Sequence, residues 1–176
     1  MRKLILLAIF AVSIVFTSNA QFKIGANLNV AFPTGNMSNG VGIGVGGTIT
    51  GLYEFSKSFS AGVQTGYISF AQKNNSGVTY SIIPITAVGK YYFSESNFKP
   101  YIGTDLGFYL SKASASVLGY SISASTTDFG VAPTIGFEYV LSGNLSLDAN
   151  VKYTNIFSSG SSATYLGVGV GIAYKF

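Results

Sequence analysis

The segment Ala163–Phe176, ATYLGVGVGIAYKF, alternates strictly between two kinds of side chain. Successive side chains of a β-strand point to opposite faces, so the segment predicts a strand with one apolar wall and one small or polar wall. A water-soluble sheet rarely presents such a flat apolar strand, because its face and open edge favour aggregation. A strand that closes a barrel in lipid avoids this problem. The apolar wall consists of Leu166, Val168, Val170, Ile172, Tyr174 and Phe176.

The composition supports a membrane protein without membrane helices. Hydrophobic residues make up 48% of the chain and charged residues only 9%, whereas charged residues are roughly a quarter of an average soluble domain. After the N-terminus, no apolar run approaches the roughly 20 residues of a membrane helix. The chain has no Cys and no His, which removes disulfides, thiolate chemistry, and the commonest general base and metal ligand. We therefore expect no cofactor and no metal site.

The N-terminus has the three parts of a secretory signal peptide. The basic pair Arg2–Lys3 precedes a short apolar core, Leu4–Phe16, and small residues follow at Ser18 and Ala20. This pattern predicts cleavage between Ala20 and Gln21. The expected parts are a cleaved signal peptide, residues 1–20, and an exported domain, residues 21–176. Without the signal peptide the chain keeps only a small positive excess, so nothing favours nucleic acid as a partner.

The alternation of the last strand recurs along the exported domain. The pattern predicts eight strands, which suits an all-β, eight-stranded antiparallel up-and-down transmembrane β-barrel. Tight connections are expected after even-numbered strands and longer Gly- and Ser-rich loops after odd-numbered strands, which would place both termini at the periplasmic end. Local bulges are expected at Pro84 and Pro133, because proline lacks a ladder donor. The predicted strands are Phe22–Phe32, Val41–Phe55, Ser58–Ala71, Thr79–Phe93, Lys99–Ser111, Thr127–Leu141, Asn144–Phe157 and Ala163–Phe176.

The charged residues test this assignment, because the apolar residues alone set the two faces. Every charged residue within a predicted strand lies on the face opposite the apolar wall. A basic residue on the lipid face costs about 2–4 kcal/mol at mid-bilayer, so a membrane barrel requires this arrangement. The inward set is balanced, which predicts a lumen charge network. Its members are Lys23, Glu54, Lys90, Lys99, Asp105, Asp128, Glu138, Asp148, Lys152 and Lys175.

A soluble lipocalin-like barrel is the alternative architecture, with the apolar wall inside and the charges in water. Charged residues are too few to coat such a surface. The polar face is rich in small residues, such as Gly42, Gly44, Gly46 and Thr48, which suits a crowded lumen. Aromatic residues also gather at the predicted periplasmic strand ends, as an interfacial girdle does. These features favour lipid outside. The girdle residues are Phe22, Tyr53, Phe55, Phe59, Tyr91, Phe93, Tyr139, Tyr174 and Phe176.

The chain resembles the outer-membrane β-barrel domain family, the small porin-like barrels of Gram-negative bacteria. Four features carry the resemblance: Gln21–Phe22 after the signal peptide, Ile83–Phe93, Lys99–Gly103 and Tyr174–Phe176. The resemblance covers nearly the whole exported domain, but its motifs are diffuse and indicate an architecture more than an activity. It implies location in the outer membrane, with outer-membrane lipid and the outer-membrane assembly machinery as partners. The implied assembly signal is Ile172, Tyr174 and Phe176.

Other motifs in the sequence favour packing over chemistry. Gly42–Gly47 matches G-x-G-x-x-G, but it lacks the strand before and helix after that a dinucleotide site needs, so it indicates lumen packing. Asp105 and Glu138 could form a carboxylate pair, although salt bridges to Lys90, Lys99 or Lys152 are the simpler interpretation. The segment Lys112–Thr126 is predicted to be the longest exposed loop and is the best candidate for contact with an extracellular partner. A disordered loop or a simple extension of the hairpin are the alternatives.

The sequence thus predicts a non-enzymatic barrel with a packed lumen and a structural or surface-interaction role. Eight strands enclose a space just wide enough for side chains to fill. A narrow channel for small solutes is the alternative function, because balanced inward charges do not exclude a small path. A lipid-modifying enzyme is a third hypothesis, and it is disfavoured because no histidine accompanies any serine.

Overall fold

A computed structural model describes residues 21–73, 78–117, 120–158 and 161–176. Over these residues the chain forms strands β1 Phe22–Thr34, β2 Val41–Glu54, β3 Phe59–Gln72, β4 Val78–Tyr92, β5 Phe98–Val117, β6 Tyr120–Ser142, β7 Leu145–Ser158 and β8 Ser161–Lys175, with one short helix, α1, Met37–Gly40. The predicted signal peptide, residues 1–20, lies outside the described residues. Within the described segments, no helix has the length and hydropathy needed to cross a membrane.

Each strand pairs antiparallel with the next, and β8 pairs with β1, so the described strands form a closed eight-stranded barrel. At the seam, Ala26 lies opposite Ile172 and Val30 opposite Val168. Closure leaves no open sheet edge along the body of the barrel, and lipid cannot satisfy an open edge. The predicted all-β barrel is confirmed, including the antiparallel pairing of its first and last strands.

The two faces of the barrel wall separate apolar from charged side chains, as the alternation predicts. The outer face is apolar: Leu28 is 78% exposed and Val63 67%. On the lumen side Glu138 is 1% exposed and Lys23 3%. The sheet therefore turns its apolar side chains outward and its polar side chains inward, the reverse of a soluble barrel.

The barrel has a termini end and a hairpin end. The termini end holds Phe22, Phe176 and the turns at residues 55–58, 93–97 and 143–144; the hairpin end is opposite. An outer aromatic girdle surrounds the termini end. Its ring centroids lie 4.9–6.1 Å apart in the pairs Phe22–Phe176, Tyr53–Phe55, Phe55–Phe59, Tyr91–Phe93, Phe98–Phe137 and Tyr174–Phe176.

The predicted long loop Lys112–Thr126 is mostly strand, so that boundary is wrong. β5 has 20 residues and β6 has 23, and they pair as far as Val117 opposite Tyr120. Only two residues separate these strands, and two separate β7 from β8. At these two connections the longer loops predicted from the Gly- and Ser-rich segments are replaced by longer strands, whereas six residues separate β1 from β2 and five separate β3 from β4. Hairpin extension, one of the two alternatives for Lys112–Thr126, describes that segment correctly.

The bulges predicted at Pro84 and Pro133 are absent from the described pairing. The register of β3 with β4 is the same before and after Pro84, and that of β6 with β7 is the same on both sides of Pro133. Pairs are missing beside each proline on one side only, because the absent donor faces that neighbour. Register shifts occur instead at Val41/Gly44 and Val140/Ser142.

Glycines let the barrel wall approach its own backbone closely. A Cβ at Gly46 would lie 2.0 Å from the carbonyl oxygen of Tyr67, and a Cβ at Gly171 would lie 2.0 Å from that of Ala26. No side chain fits at such distances. The G-x-G-x-x-G motif therefore lies within β2 and serves packing of the wall.

Candidate functional site

An alternating chain of charges crosses the lumen at the termini end. Lys23 Nζ lies 2.9 Å from Glu54 and 2.8 Å from Glu138. Lys90 Nζ lies 3.3 Å from Glu138 and 3.0 Å from Asp148. Lys175 contacts the second oxygen of Glu54. This set, the ion chain, runs in the order Lys175, Glu54, Lys23, Glu138, Lys90 and Asp148, and links β8, β2, β1, β6, β4 and β7.

The strand register explains why these charges alternate. Lys23 lies directly opposite Lys175 across the seam, and Glu138 lies directly opposite Asp148. Like charges opposite each other in neighbouring strands destabilise a sheet. Each repelling pair is bridged by an opposite charge from another strand: Glu54 of β2 between the two lysines, and Lys90 of β4 between the two carboxylates. The ion chain thus ties together strands that are not neighbours.

Polar neutral side chains complete the hydrogen bonding of the carboxylates. The Tyr92 hydroxyl donates to Glu138 at 2.6 Å, and the Tyr101 hydroxyl donates to Asp148 at 2.9 Å. Asn27 and Asn150 each donate to the other Asp148 oxygen at 2.7 Å. The Lys90 ammonium also lies 4.2 Å from the centre of the Tyr101 ring, a favourable cation–π distance. A buried charge is tolerated only with such partners.

A second, smaller cluster of polar and charged side chains lies at the middle of the barrel. Asp105, 2% exposed, contacts Lys152 and accepts a hydrogen bond from Gln64 at 2.9 Å. Lys152 also donates to the Gln64 side-chain oxygen at 3.3 Å. This set, the Asp105 triad, joins β3, β5 and β7. Together with the ion chain it connects all eight described strands through the lumen.

Two of the ten predicted network residues stand apart. Lys99 lies opposite Glu138 in the register of β5 with β6, but Glu138 is occupied by Lys23 and Lys90. Asp128 lies near the hairpin end, opposite Tyr109. Among the described side chains, neither forms an ion pair within 4.0 Å. The predicted pairing of Asp105 and Glu138 with lysines is seen, through Lys152 for the first and Lys23 and Lys90 for the second.

Apolar side chains close the lumen toward the hairpin end, which the sequence analysis missed. Phe70 is 2% exposed and Tyr109 2%, and the Phe70 ring lies 5.7 Å from that of Tyr165. The sequence does indicate an apolar layer in the lumen, because in the alternation of their strands these large residues fall on the inward-facing positions. We call the set the apolar plug; it consists of Ala31, Ile68, Phe70, Ile82, Tyr109, Ile156 and Tyr165.

Two small cavities separate these layers. A cavity of about 30 Å³ touches both the ion chain and the Asp105 triad, including Asp148, Asp105 and Lys152. Another of about 20 Å³ lies between the Asp105 triad and the apolar plug, including Asp105 and Tyr109. A cavity needs roughly 10–15 Å³ of this kind to hold one water molecule. Each chamber is therefore large enough for one or two waters, and too small for a sugar or amino acid.

The arrangement is suited to stability rather than to chemistry. Both carboxylates of the inner ion chain, Glu138 and Asp148, are surrounded by cations, hydroxyls and amides. A general base needs a carboxylate that is free to accept a proton from a substrate. The two cavities, of about 30 and 20 Å³, leave no space for a substrate beside these carboxylates.

The residues of the implied assembly signal lie on the lipid side of the seam. Ile172, Tyr174 and Phe176 are 53%, 46% and 56% exposed. Phe176 donates its N–H to the Phe22 carbonyl at 2.9 Å, and its ring lies 5.1 Å from that of Tyr174. These residues therefore form one apolar ridge along β8, accessible from outside the barrel. Their role in assembly stays a prediction, as does cleavage between Ala20 and Gln21.

Comparison with known proteins decides the family. The family model of the outer membrane protein beta-barrel domain matches residues 4–176. The chain belongs to this family. Outer membrane protein W of Vibrio cholerae is 35% identical over 91 residues, which are 47% of this chain and 40% of that protein. An uncharacterized protein of Haemophilus influenzae is 30% identical over 90 residues, 50% of this chain and 49% of that one.

Solved structures of outer-membrane barrels share the fold. Neisserial surface protein A superposes with a TM-score of 0.69 at 22% identity, over 88% of this chain and 97% of that one. Ail, the attachment invasion locus protein of Yersinia pestis, gives 0.57 at 17% identity, over 89% and 97%. OprG of Pseudomonas aeruginosa gives 0.60 at 16% identity, over 89% and 96%. The chain spans less than half the length of the two curated relatives. The chain is an outer-membrane β-barrel protein.

Proposed function

We propose that this protein is a non-enzymatic outer-membrane barrel with a closed lumen, and that it acts structurally or through its surface. The observation that carries the proposal is the stack of layers across the lumen: the ion chain, the Asp105 triad and the apolar plug. Each layer would have to open before a solute could pass. The chambers between them hold about 30 and 20 Å³, far less than a typical ligand pocket.

The proposal places the termini end at the periplasm and the hairpin end outside the cell. Small outer-membrane barrels project their longer segments on the extracellular side, and here β5 and β6, with 20 and 23 residues, extend past the apolar band at the hairpin end. The β5–β6 hairpin then projects from the cell surface as the element available to an extracellular partner. Export through an N-terminal signal peptide and insertion by the assembly machinery at Phe176 belong to the same proposal.

A narrow channel is the main rival, and liposome swelling separates the two. Liposomes containing the purified protein are mixed with an isotonic solution of a small sugar. We expect no swelling beyond that of empty liposomes. A variant altered in every layer serves as the positive control for insertion and is expected to swell: Phe70→Ala and Tyr109→Ala in the apolar plug, Lys152→Ala in the Asp105 triad, and Lys90→Ala with Glu138→Ala in the ion chain. Swelling by the unaltered protein would overturn the closed-lumen proposal.

A further inference from the structure

The first part of β6 has a neighbour on one side only. From Tyr120 to Asp128 it pairs with β5 without a register shift, whereas its pairing with β7 begins at Phe129, opposite Phe157. Continuing the second register would place residues 161 and 163 opposite Ser125 and Ser123, but those residues belong to β8 and pair with β7. In the described segments, no strand covers this edge of β6.

The alternation of backbone groups shows which ones the edge presents. Val140 of β6 donates its N–H toward β5, to the Asn97 carbonyl at 2.8 Å. In an antiparallel ladder, successive residues of a strand bond to alternate sides, and this register is unbroken back to Tyr120. The backbone N–H and C=O groups of the even-numbered β6 residues therefore bond to β5. Those of Ser123 and Ser125 point to the open edge instead.

The open edge lies outside the apolar band of the barrel. Phe129 ends that band on β6, with its ring 6.0 Å from Phe108 and 6.5 Å from Phe157. The next residues with the same outward parity are Thr127, Ser125 and Ser123, all exposed. Hydroxyl side chains in this position place the edge in water, where a partner can reach it.

The open edge of β6 lacks most of the usual protections of an exposed edge. Natural edges are blunted by charged side chains, proline, bulges or a short strand, and the one charged residue of residues 120–128, Asp128, lies at the end next to the apolar band. The segment 121–127, SISASTT, has neither lysine nor proline, and its register has no bulge. At about 3.4 Å per residue, residues 120–128 extend for about 30 Å. Ile122, 68% exposed, adds one apolar side chain on the face opposite the hydroxyls of Ser123 and Ser125.

A second copy of the chain is a poor occupant of this edge. Copies inserted in one membrane have the same orientation, so their β6 strands run in the same direction. Two such edges could meet only as parallel strands, and parallel pairing is slightly less stable per residue than antiparallel pairing. A strand from a different protein has no such restriction.

We propose that the open edge of β6, residues 120–128, binds an extended segment of another protein by antiparallel strand addition. The inference rests on the proposed surface-interaction role and specifies its mode. The backbone of Ser123 and Ser125 supplies the hydrogen bonds, and these give affinity with little sequence preference. Ile122 favours an apolar side chain on the adjacent face of the partner, and the hydroxyls favour small polar side chains on the other face.

The test selects peptides from a random library displayed on phage, against the full chain in lipid nanodiscs. Ser123→Pro/Ser125→Pro removes the two N–H groups that face the edge and leaves the bonds to β5 intact. Ser123→Ala/Ser125→Ala is the matched control, which changes the side chains and keeps the backbone donors. Peptides that bind the edge should bind the alanine variant like the unaltered protein, and bind the proline variant about tenfold or more weakly.

Three results would overturn the inference: no peptide enriched over empty nanodiscs, equal binding to the proline variant, or equal loss with alanine. Amide hydrogen exchange of the unaltered protein adds a readout that needs no variant. A selected peptide should slow exchange at Ser123 and Ser125 specifically, and protection elsewhere contradicts the proposed mode. Failure here leaves the liposome result untouched, so it is distinguishable from failure of the closed-lumen proposal.

Discussion

Removing the central anion of the lumen should be the most damaging conservative change. Glu138→Gln keeps the size of the side chain and an acceptor for the Tyr92 hydroxyl. It removes the negative charge that lies 2.8 Å from Lys23 and 3.3 Å from Lys90. Both lysines remain in the lumen, and each keeps one carboxylate partner, Glu54 or Asp148.

The magnitude follows from burial. Breaking a buried pair by removing one partner costs about 3–5 kcal/mol. Because each lysine keeps a second partner, we expect the low end of that range, a loss of about 3 kcal/mol in the free energy of unfolding. Glu95→Gln is the matched control: Glu95 pairs with Lys57 at 3.0 Å, and their side chains are 56% and 80% exposed. Such a surface pair is worth at most about 1 kcal/mol.

Urea unfolding of the refolded protein in lipid vesicles measures both variants. The folded fraction is read from the faster migration of unheated barrel on gels and from tyrosine fluorescence, since the chain has 12 Tyr and no Trp. An equal loss in the free energy of unfolding for Glu138→Gln and Glu95→Gln would refute the reasoning, because Glu138 would then stabilise the protein no more than a surface pair does.

Two further predictions concern the wall and the seam. Gly46→Ala should reduce the folded yield severely, because its Cβ would lie 2.0 Å from the Tyr67 oxygen, whereas Gly47→Ala meets nothing closer than 3.4 Å and should fold normally; gel migration compares the two, and equal yields would contradict the packing argument. Deletion of Phe176 should lower membrane insertion in cells more than Ser56→Ala in a turn, measured by outer-membrane fractionation; equal insertion would count against an assembly role.

The sequence predicted the barrel because its main signal has a direct physical cause. Lipid outside and charge inside impose a period of two on every membrane-spanning segment. Strand positions, inward parity and seam pairing all follow from that period. The alternation of apolar and polar residues ends where the strands leave the lipid. In residues 123–127 both faces carry only Ser, Ala and Thr, and all five residues are exposed, so this part of the strand has a sequence typical of a loop.

The partners of each charge required the three-dimensional register. Parity places Lys23 and Glu138 in the lumen, but only shear and closure decide that they meet across it. The apolar plug was missed because inward positions were expected to be small or polar. Phe70 indicates the plug in the sequence, because it is a large apolar residue at an inward-facing position of β3. The weak alternation of that strand hides this feature.

The central claim is that the outer apolar face of the barrel contacts lipid while the apolar plug fills the lumen. Single tryptophans test it directly, because the native chain has none. Leu28→Trp places the probe on the outer face, and Tyr109→Trp places it in the plug; both are reconstituted in lipids brominated along the acyl chains. We predict strong quenching for Leu28→Trp and little for Tyr109→Trp. Equal quenching, or quenching of the plug alone, would contradict the account.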